Sequence, residues 1–234
     1  NTFASVILSV IHILKDNPDC FILILPADHM IINKKDFINS VKKALVLAES
    51  GFITTFGINP TKPDTSFGYI KTNKKKKNGF IIEKFIEKPN LNLAKKLIRN
   101  GNCFWNSGMF LFNSKVFIEE CYQLNKRSLE LAEENLRNRI IDLDFEIFPK
   151  KIFNGFESIP FDKAIMEKTS KGAVIPFNQK WSDVGSWTNL WSIMKKNDEG
   201  NVSKRNVITS EVKNSLILSN KKVIAIGLED MIII

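Results

Sequence analysis

The chain has 234 residues, 44% of them apolar, which suits one large α/β domain, or one domain with a small appendage, around a sizeable core. Its formal net charge of +9 favours anionic partners such as nucleic acid, a membrane surface or a phosphorylated small molecule. Cys20, Cys103 and Cys121 form no Cys-x-x-Cys pair and His12 and His29 are the only histidines, which excludes a structural zinc site and a disulfide framework.

Residues 1–15 read as a helix with no capping residue before it. Phe21 to Leu25 is a continuous apolar run closed by Pro26, as expected of a parallel strand buried on both faces. Asp36 is placed as the cap of a helix that runs through Ser50 to Gly51. A strand follows over Phe52 to Ile58, then an extended loop marked by Pro60, Pro63 and Gly68. Tyr69–Lys71 and Gly79–Glu87 read as two antiparallel strands around Lys74-Lys75-Lys76-Lys77, a run read as a solvated turn with phosphate contact as the sharper alternative. No aromatic residues interleave with it, so a single-strand nucleic-acid platform is not expected.

Asn90 opens a helix over Leu91 to Arg99 that Gly101 stops. Phe104-Trp105 leads into a turn, and Met109 to Phe112 is a strand. Residues 115–137 are mostly helical. Phe161–Thr169 is a short helix, Val174–Pro176 a strand and Ser186–Met194 a helix. From Asn201 the pattern changes to short strands separated by turns, with no internal repeat seen. The expected organisation is therefore a core over 1–200 and a β-rich appendage over 201–234. The fold class is α/β, a mixed and mostly parallel sheet flanked by helices. No signal peptide and no bilayer-length apolar run occur, so a soluble cytoplasmic protein without membrane partners is expected.

Four clusters carry chemistry. Asp28, in Pro26-Ala27-Asp28-His29, sits just past a strand end, where open α/β sheets bind ligands, although a loop or capping Asp is the plainer reading. His29 reads as its packing or hydrogen-bonding neighbour. Glu87-Lys88-Pro89 offers an acceptor for hydroxyls beside a point charge for a phosphate, or merely a surface ion pair. Asn106 and Ser107, in Trp105-Asn106-Ser107-Gly108-Met109, can bond sugar hydroxyls. Asp183, in Trp181-Ser182-Asp183-Val184-Gly185-Ser186-Trp187, is either a cap or the partner of Asp28 in a hard-cation site.

Taken in order, these segments resemble the sugar-1-phosphate nucleotidyltransferases, and closely the bacterial mannose-1-phosphate guanylyltransferases that often continue into an isomerase domain. The resemblance also rests on Phe56-Gly57-Ile58, Gly68-Tyr69-Ile70 and Ala164-Ile165-Met166-Glu167-Lys168, and it spans essentially the whole chain. It implies a Rossmann-like, GT-A-like nucleotide-diphospho-sugar transferase fold. The reaction implied joins GTP and mannose 1-phosphate to give GDP-mannose and pyrophosphate, a step in nucleotide-sugar and polysaccharide biosynthesis. By that likeness Asp28 and Asp183 hold Mg²⁺, Lys88 grips the sugar phosphate, and Glu87 and Asn106 bind hexose hydroxyls. Gly68 and Tyr69 line the sugar pocket, with Asp162 and Lys168 near the site; Asp28, Lys88 and Asp183 form the catalytic set.

The family's opening strand and glycine-rich phosphate loop find no counterpart, since Gly51 is the first glycine, and Asn1-Thr2 matches a segment that follows that loop. The isomerase extension is absent too, and Phe3 and Phe161-Asp162-Lys163 depart from the family's usual residues. The expectation is a fragment with little activity by itself, completed by an N-terminal piece or acting as a homo-oligomer. The alternative is a non-catalytic remnant that keeps only the sugar-phosphate site. A nucleic-acid-binding module is the weakest reading, because the lysines are dispersed.

Overall fold

The computed structural model describes residues 2–178 and 181–234. In chain order the elements begin with α1 (Thr2–Leu14), β1 (Phe21–Ile24), β2 (Met30–Ile31), α2 (Lys34–Glu49), β3 (Ile53–Ile58), β4 (Tyr69–Lys75), β5 (Phe80–Ile86) and α3 (Leu91–Arg99). There follow β6 (Cys103–Asn113), α4 (Ser114–Leu124), α5 (Lys126–Arg137), β7 (Ile140–Asp142), β8 (Phe145–Ile147) and α6 (Lys150–Phe153). After a π-helical turn (Asp162–Met166) come β9 (Gly172–Pro176), β10 (Trp181–Ser182), α7 (Trp187–Ile193), β11 (Val202–Ser203), β12 (Val207–Ser210), β13 (Leu216–Ile217), β14 (Val223–Ile226) and β15 (Ile232–Ile233). They form two compact units, one of residues 1–26 and 34–178, the other of 27–33 and 179–234.

The first unit is built on a sheet in the order β1-β6-β3-β9-β5-β4, and β4 also pairs with β6, so five of its strands close on themselves. The mixed α/β class is as expected, but the sheet is not mostly parallel. Only β3 and β9 pair in parallel; the other five pairings are antiparallel. The physical reason is β6, which runs against both β1 and β3 and separates two strands that share a direction. For the same reason β1 is paired on one side only among the described residues, and its ends are not doubly buried. Phe21 and Leu25 are 41% and 47% exposed.

The 11 residues of β6 absorb the segment expected to turn at Trp105–Met109. Cys103–Trp105 pair with β4, and Phe110–Asn113 with β1, while Asn106 faces Gly57 of β3 beside a register shift. Asn106 is therefore held mid-sheet rather than at a loop tip. Other boundaries follow local chemistry. Asn90 Oδ1 accepts the Leu93 N–H at 2.9 Å and starts α3 where expected. Asp36 lies in the first turn of α2 rather than before it. The helical stretch over 115–137 is broken at Asn125, whose side chain donates instead to the Ala164 carbonyl.

One face of the sheet is covered by the apolar side of α1 and by α4 and α5. Phe3, Ile7 and Val10 join Phe110, Phe112, Phe117 and Phe161 in one buried cluster. Phe117 and Phe161 stack with rings 5.9 Å apart and 19° from parallel. Both departures marked in the sequence, Phe3 and Phe161, thus fill the same core. Fully burying side chains of this size contributes about 1.5–3 kcal/mol each. Thr2 Oγ1 accepts the Phe161 N–H at 3.0 Å and ties the start of α1 to the π-helical turn.

In the second unit β2 and β10 form a two-stranded antiparallel ladder. The tail is a stack of parallel rungs rather than plain hairpins. β12 lies on β14 with Val207 opposite Val223, and β13 lies on β15 with Leu216 opposite Ile232. Both offsets are 16 residues, so residues 207–234 contain a structural repeat that composition concealed. Its dry side is made by Val212, Ile217 and Ala225.

Candidate active site

In the first unit, the end of β5, the middle of β6 and the π-helical turn bring together Glu87, Asn106 and Asp162. Asn106 is 8% exposed and its amide is held at both ends. Oδ1 accepts from Thr55 Oγ1 at 2.9 Å, and Nδ2 donates to Asp162 Oδ1 at 2.6 Å. Gly68 accepts the Asn106 N–H on its carbonyl at 2.8 Å. A Cβ on Gly68 would stand 2.7 Å from Glu87 Oε2, so the absence of a side chain is what admits the Glu87 carboxylate.

Glu167 completes the group by accepting the Glu87 N–H on Oε1 at 3.0 Å. Burial, then the nearby Asp162 charge and that of Glu167, push the Glu87 carboxyl up; Lys88 and Lys163 oppose this. Burial likewise pushes Asp162 up, against the hydrogen bond from Asn106 and the charge of Lys88. Three carboxylates on a partly desolvated surface with two lysines suit a ligand that brings hydroxyl donors and one anionic group. Lys88 is mostly exposed, 3.9 Å from Glu87, and held at φ +45°, a conformation rare for a side-chain-bearing residue.

Two other expected site residues stand apart from this group. Tyr69 is fully buried with Ala94, Leu97, Cys103 and Trp105, and its hydroxyl is spent on the backbone of Asp64 at 3.0 Å. It can shape a pocket through its backbone but has no free hydroxyl to offer. Lys168 is exposed, and its backbone N–H donates to the Ile165 carbonyl at 3.0 Å. Thr55 and Glu167 join the group through contacts that no local sequence pattern marks. Glu167 lies five residues after Asp162, and the Glu167 N–H reaches the Asp162 carbonyl, a wide-turn spacing that an ordinary helix period does not align.

In the second unit, the pairing of β2 with β10 brings Asp28 and Asp183 each within electrostatic reach of His29. Trp181 Nε1 donates to His29 Nδ1 at 3.2 Å, which leaves the neutral ring's proton on Nε2, 4.0 Å from Asp28 Oδ1. Burial lowers the His29 pKa, while Asp28 and Asp183 both pull it upward. His29 therefore senses both carboxylates and serves as their neighbour, as expected. Asp183 Oδ1 accepts from Asn189 Nδ2 at 3.0 Å, and the turn beyond it carries Val184 at φ +45°. Among the described residues no three His, Cys, Asp or Glu side chains gather as a metal cage. Two carboxylates fit a magnesium-like ion that keeps waters and takes further oxygens from phosphates; they do not fit a metal held by protein alone.

A model of the nucleotidyl transferase family matches residues 1–200. The chain belongs to that family. It is similar to mannose-1-phosphate guanylyltransferase 2 of Escherichia coli O157:H7, with 38% identity over all of this chain and 51% of that protein. This nucleotidyl transferase chain thus spans about half the length of such relatives. Among solved structures, a mannose-1-phosphate geranyltransferase from Thermus thermophilus matches 98% of this chain and 66% of its own, at 26% identity and TM-score 0.84. A mannose-6-phosphate isomerase from Helicobacter pylori matches 78% of this chain and 70% of its own, at 32% identity and TM-score 0.69. No helix among the described residues is long and apolar enough to cross a membrane.

Proposed function

We propose that the chain is the nucleotidyltransferase part of a mannose-1-phosphate guanylyltransferase, joining GTP and mannose 1-phosphate into GDP-mannose and pyrophosphate. The observation that carries this reading is the Glu87–Asn106–Asp162 group beside Gly68, in a chain whose relatives include a mannose-1-phosphate guanylyltransferase and proteins of xanthan and alginate biosynthesis. In the reaction a phosphate oxygen of the sugar bonds to the α-phosphorus of GTP, and the bond to the β-phosphate breaks to release pyrophosphate.

Little covalent chemistry falls to the protein, so its share is positioning and charge. Glu87 accepts hexose hydroxyls, and Asn106 keeps Asp162 aimed while its second N–H stays available. Lys88, mostly exposed beside Glu87, meets the sugar phosphate. Members of this family generally use a divalent metal; Asp28 and Asp183 are the residues that would hold it, and Mg²⁺ there would neutralise phosphate charge. Asn189 fixes Oδ1 of Asp183 and makes no bond to Oδ2. Within these 234 residues no glycine-rich turn is available for a triphosphate, the first glycine being Gly51, so turnover by this chain alone is expected to be small.

Calorimetric binding of mannose 1-phosphate to the full chain tests the reading. Glu87→Ala is expected to weaken binding about tenfold or more, the loss of a charge-assisted hydrogen bond. Binding indifferent to Glu87, or no preference over glucose 1-phosphate, overturns the substrate assignment. Brisk pyrophosphate release from the chain alone, abolished by Asp183→Asn, overturns only the expectation of low turnover.

A further inference from the structure

The Lys74–Lys77 run is not spent by the site just described, and its surroundings are more than a free turn. Lys75, Lys76 and Lys77 line a pocket of about 310 Å³ together with Lys43 of α2 and Pro176 of β9, all within the first unit. Hydrogen bonds between Lys76 and Gly79 in both directions close the loop. Gly79 presses it flush against the sheet: a Cβ there would lie 2.3 Å from the Val174 carbonyl oxygen. The loop backbone is thereby held against the sheet, and the lysine side chains are exposed on it. None of the ion pairs among the described residues uses Lys43, Lys75, Lys76 or Lys77. Four lysines thus line one concavity, with Lys76 Nζ also 5.9 Å from the Phe52 ring. Positive charge gathered there without a carboxylate partner favours an anion.

We infer that this pocket is a binding site for a short phosphate chain of two or three phosphoryl groups, built from residues that neither the Glu87 group nor the Asp28 group uses. The volume lies at the low end of small-ligand pockets, and lysines serve phosphates as point charges without demanding a fixed fork. The ligand is either free polyphosphate or the phosphate tail of a nucleotide, and the two share this chemistry. An extended nucleic acid is disfavoured, because the charge sits in a pocket rather than along a groove.

The test is calorimetric titration of sodium tripolyphosphate into the full chain with EDTA present, at about 50 mM salt to limit screening. One site is expected, and Lys75→Gln/Lys76→Gln/Lys77→Gln together should raise its Kd about tenfold, with Lys43→Gln giving a smaller rise. Lys204→Gln/Lys221→Gln/Lys222→Gln removes the same charge from the other unit and should change little. Equal loss in both triple variants reduces the effect to net charge and overturns the inference. GTP binding tighter than tripolyphosphate, and lost in the loop variant, assigns the site to a nucleotide tail; equal affinities assign it to the phosphate chain itself. A single-stranded oligonucleotide binding more tightly than either overturns the small-anion assignment.

Discussion

Asn106 Nδ2 lies 2.6 Å from Asp162 Oδ1, joining the middle of β6 to the π-helical turn across 56 residues of sequence. The Thr55 hydroxyl lies 2.9 Å from both Asn106 Oδ1 and the Met109 carbonyl, so it keeps an acceptor when Asn106 is removed, and the group left unpaired is the partly desolvated Asp162 carboxylate. Asn106→Ala is expected to cost about 1–3 kcal/mol of stability, the penalty of leaving such a group unpaired. Thr55→Val should cost less, because Asn106 keeps its bond to Asp162. Urea unfolding of both variants checks this ordering, and equal losses would show that Asn106 acts only as packing.

Asp162→Asn keeps an acceptor for Asn106 but removes a charge that burial disfavours. Asp162 holds its proton more tightly folded than unfolded, where its ordinary value is 3.8. The native state therefore binds more protons, and the residue's contribution to stability is greatest below pH 3.8 and is lost as pH rises through the raised folded value. The variant should melt higher than the parent at about pH 7, with the difference shrinking as pH falls toward about 4. Melting curves at the two pH values read it out, and a variant less stable near neutrality contradicts the sign.

Local signals were legible where one residue decides the outcome. Asn90 capped α3, and Tyr69 and Glu87 bracketed a hairpin whose lysine tip was evident from charge alone. Direction was not legible: nothing in Met109-Phe110-Leu111-Phe112 tells that β6 runs against its neighbours. Trp105–Met109 read as a turn because Asn, Ser and Gly are turn formers, yet pairing on both sides of β6 overrode that preference. Of the residues proposed from sequence, Glu87 and Asn106 lie near Asp162 in the first unit, and Asp28 and Asp183 lie near His29 in the second. The supporting residues Thr55 and Glu167 act through tertiary contacts that no local pattern encodes.

The Trp181 indole donates to the His29 Nδ1, a bond available only while that nitrogen is unprotonated. Burial is the main cause of the lowered His29 pKa, and a donor aimed at Nδ1 is expected to favour the neutral ring as well. Trp181→Phe should therefore move the His29 pKa upward, because Asp28 and Asp183 still attract its charge. Asp183→Asn should move it the other way. Proton–nitrogen NMR titration of the imidazole distinguishes the two, and a downward shift in Trp181→Phe would remove the indole from this account.

Glu211 and Gly227 occupy the same position in successive 16-residue coils, ahead of rungs that pair Leu216 with Ile232. Both are left-handed, at φ +55° and +65°, but only one of them is a glycine. A left-handed backbone costs about 1–2 kcal/mol for an ordinary residue, while glycine brings roughly 0.5–1 kcal/mol of extra chain entropy to lose. Glu211→Gly is thus expected to stabilise the coil by about 0.5–1 kcal/mol. Gly227→Ala meets no neighbour within 4 Å, so its cost of similar size should come from backbone strain alone. Opposite signs in chemical unfolding would tie the turn conformation to the repeat; if both substitutions destabilise, the Glu211 side chain is contributing something that its backbone angle does not reveal.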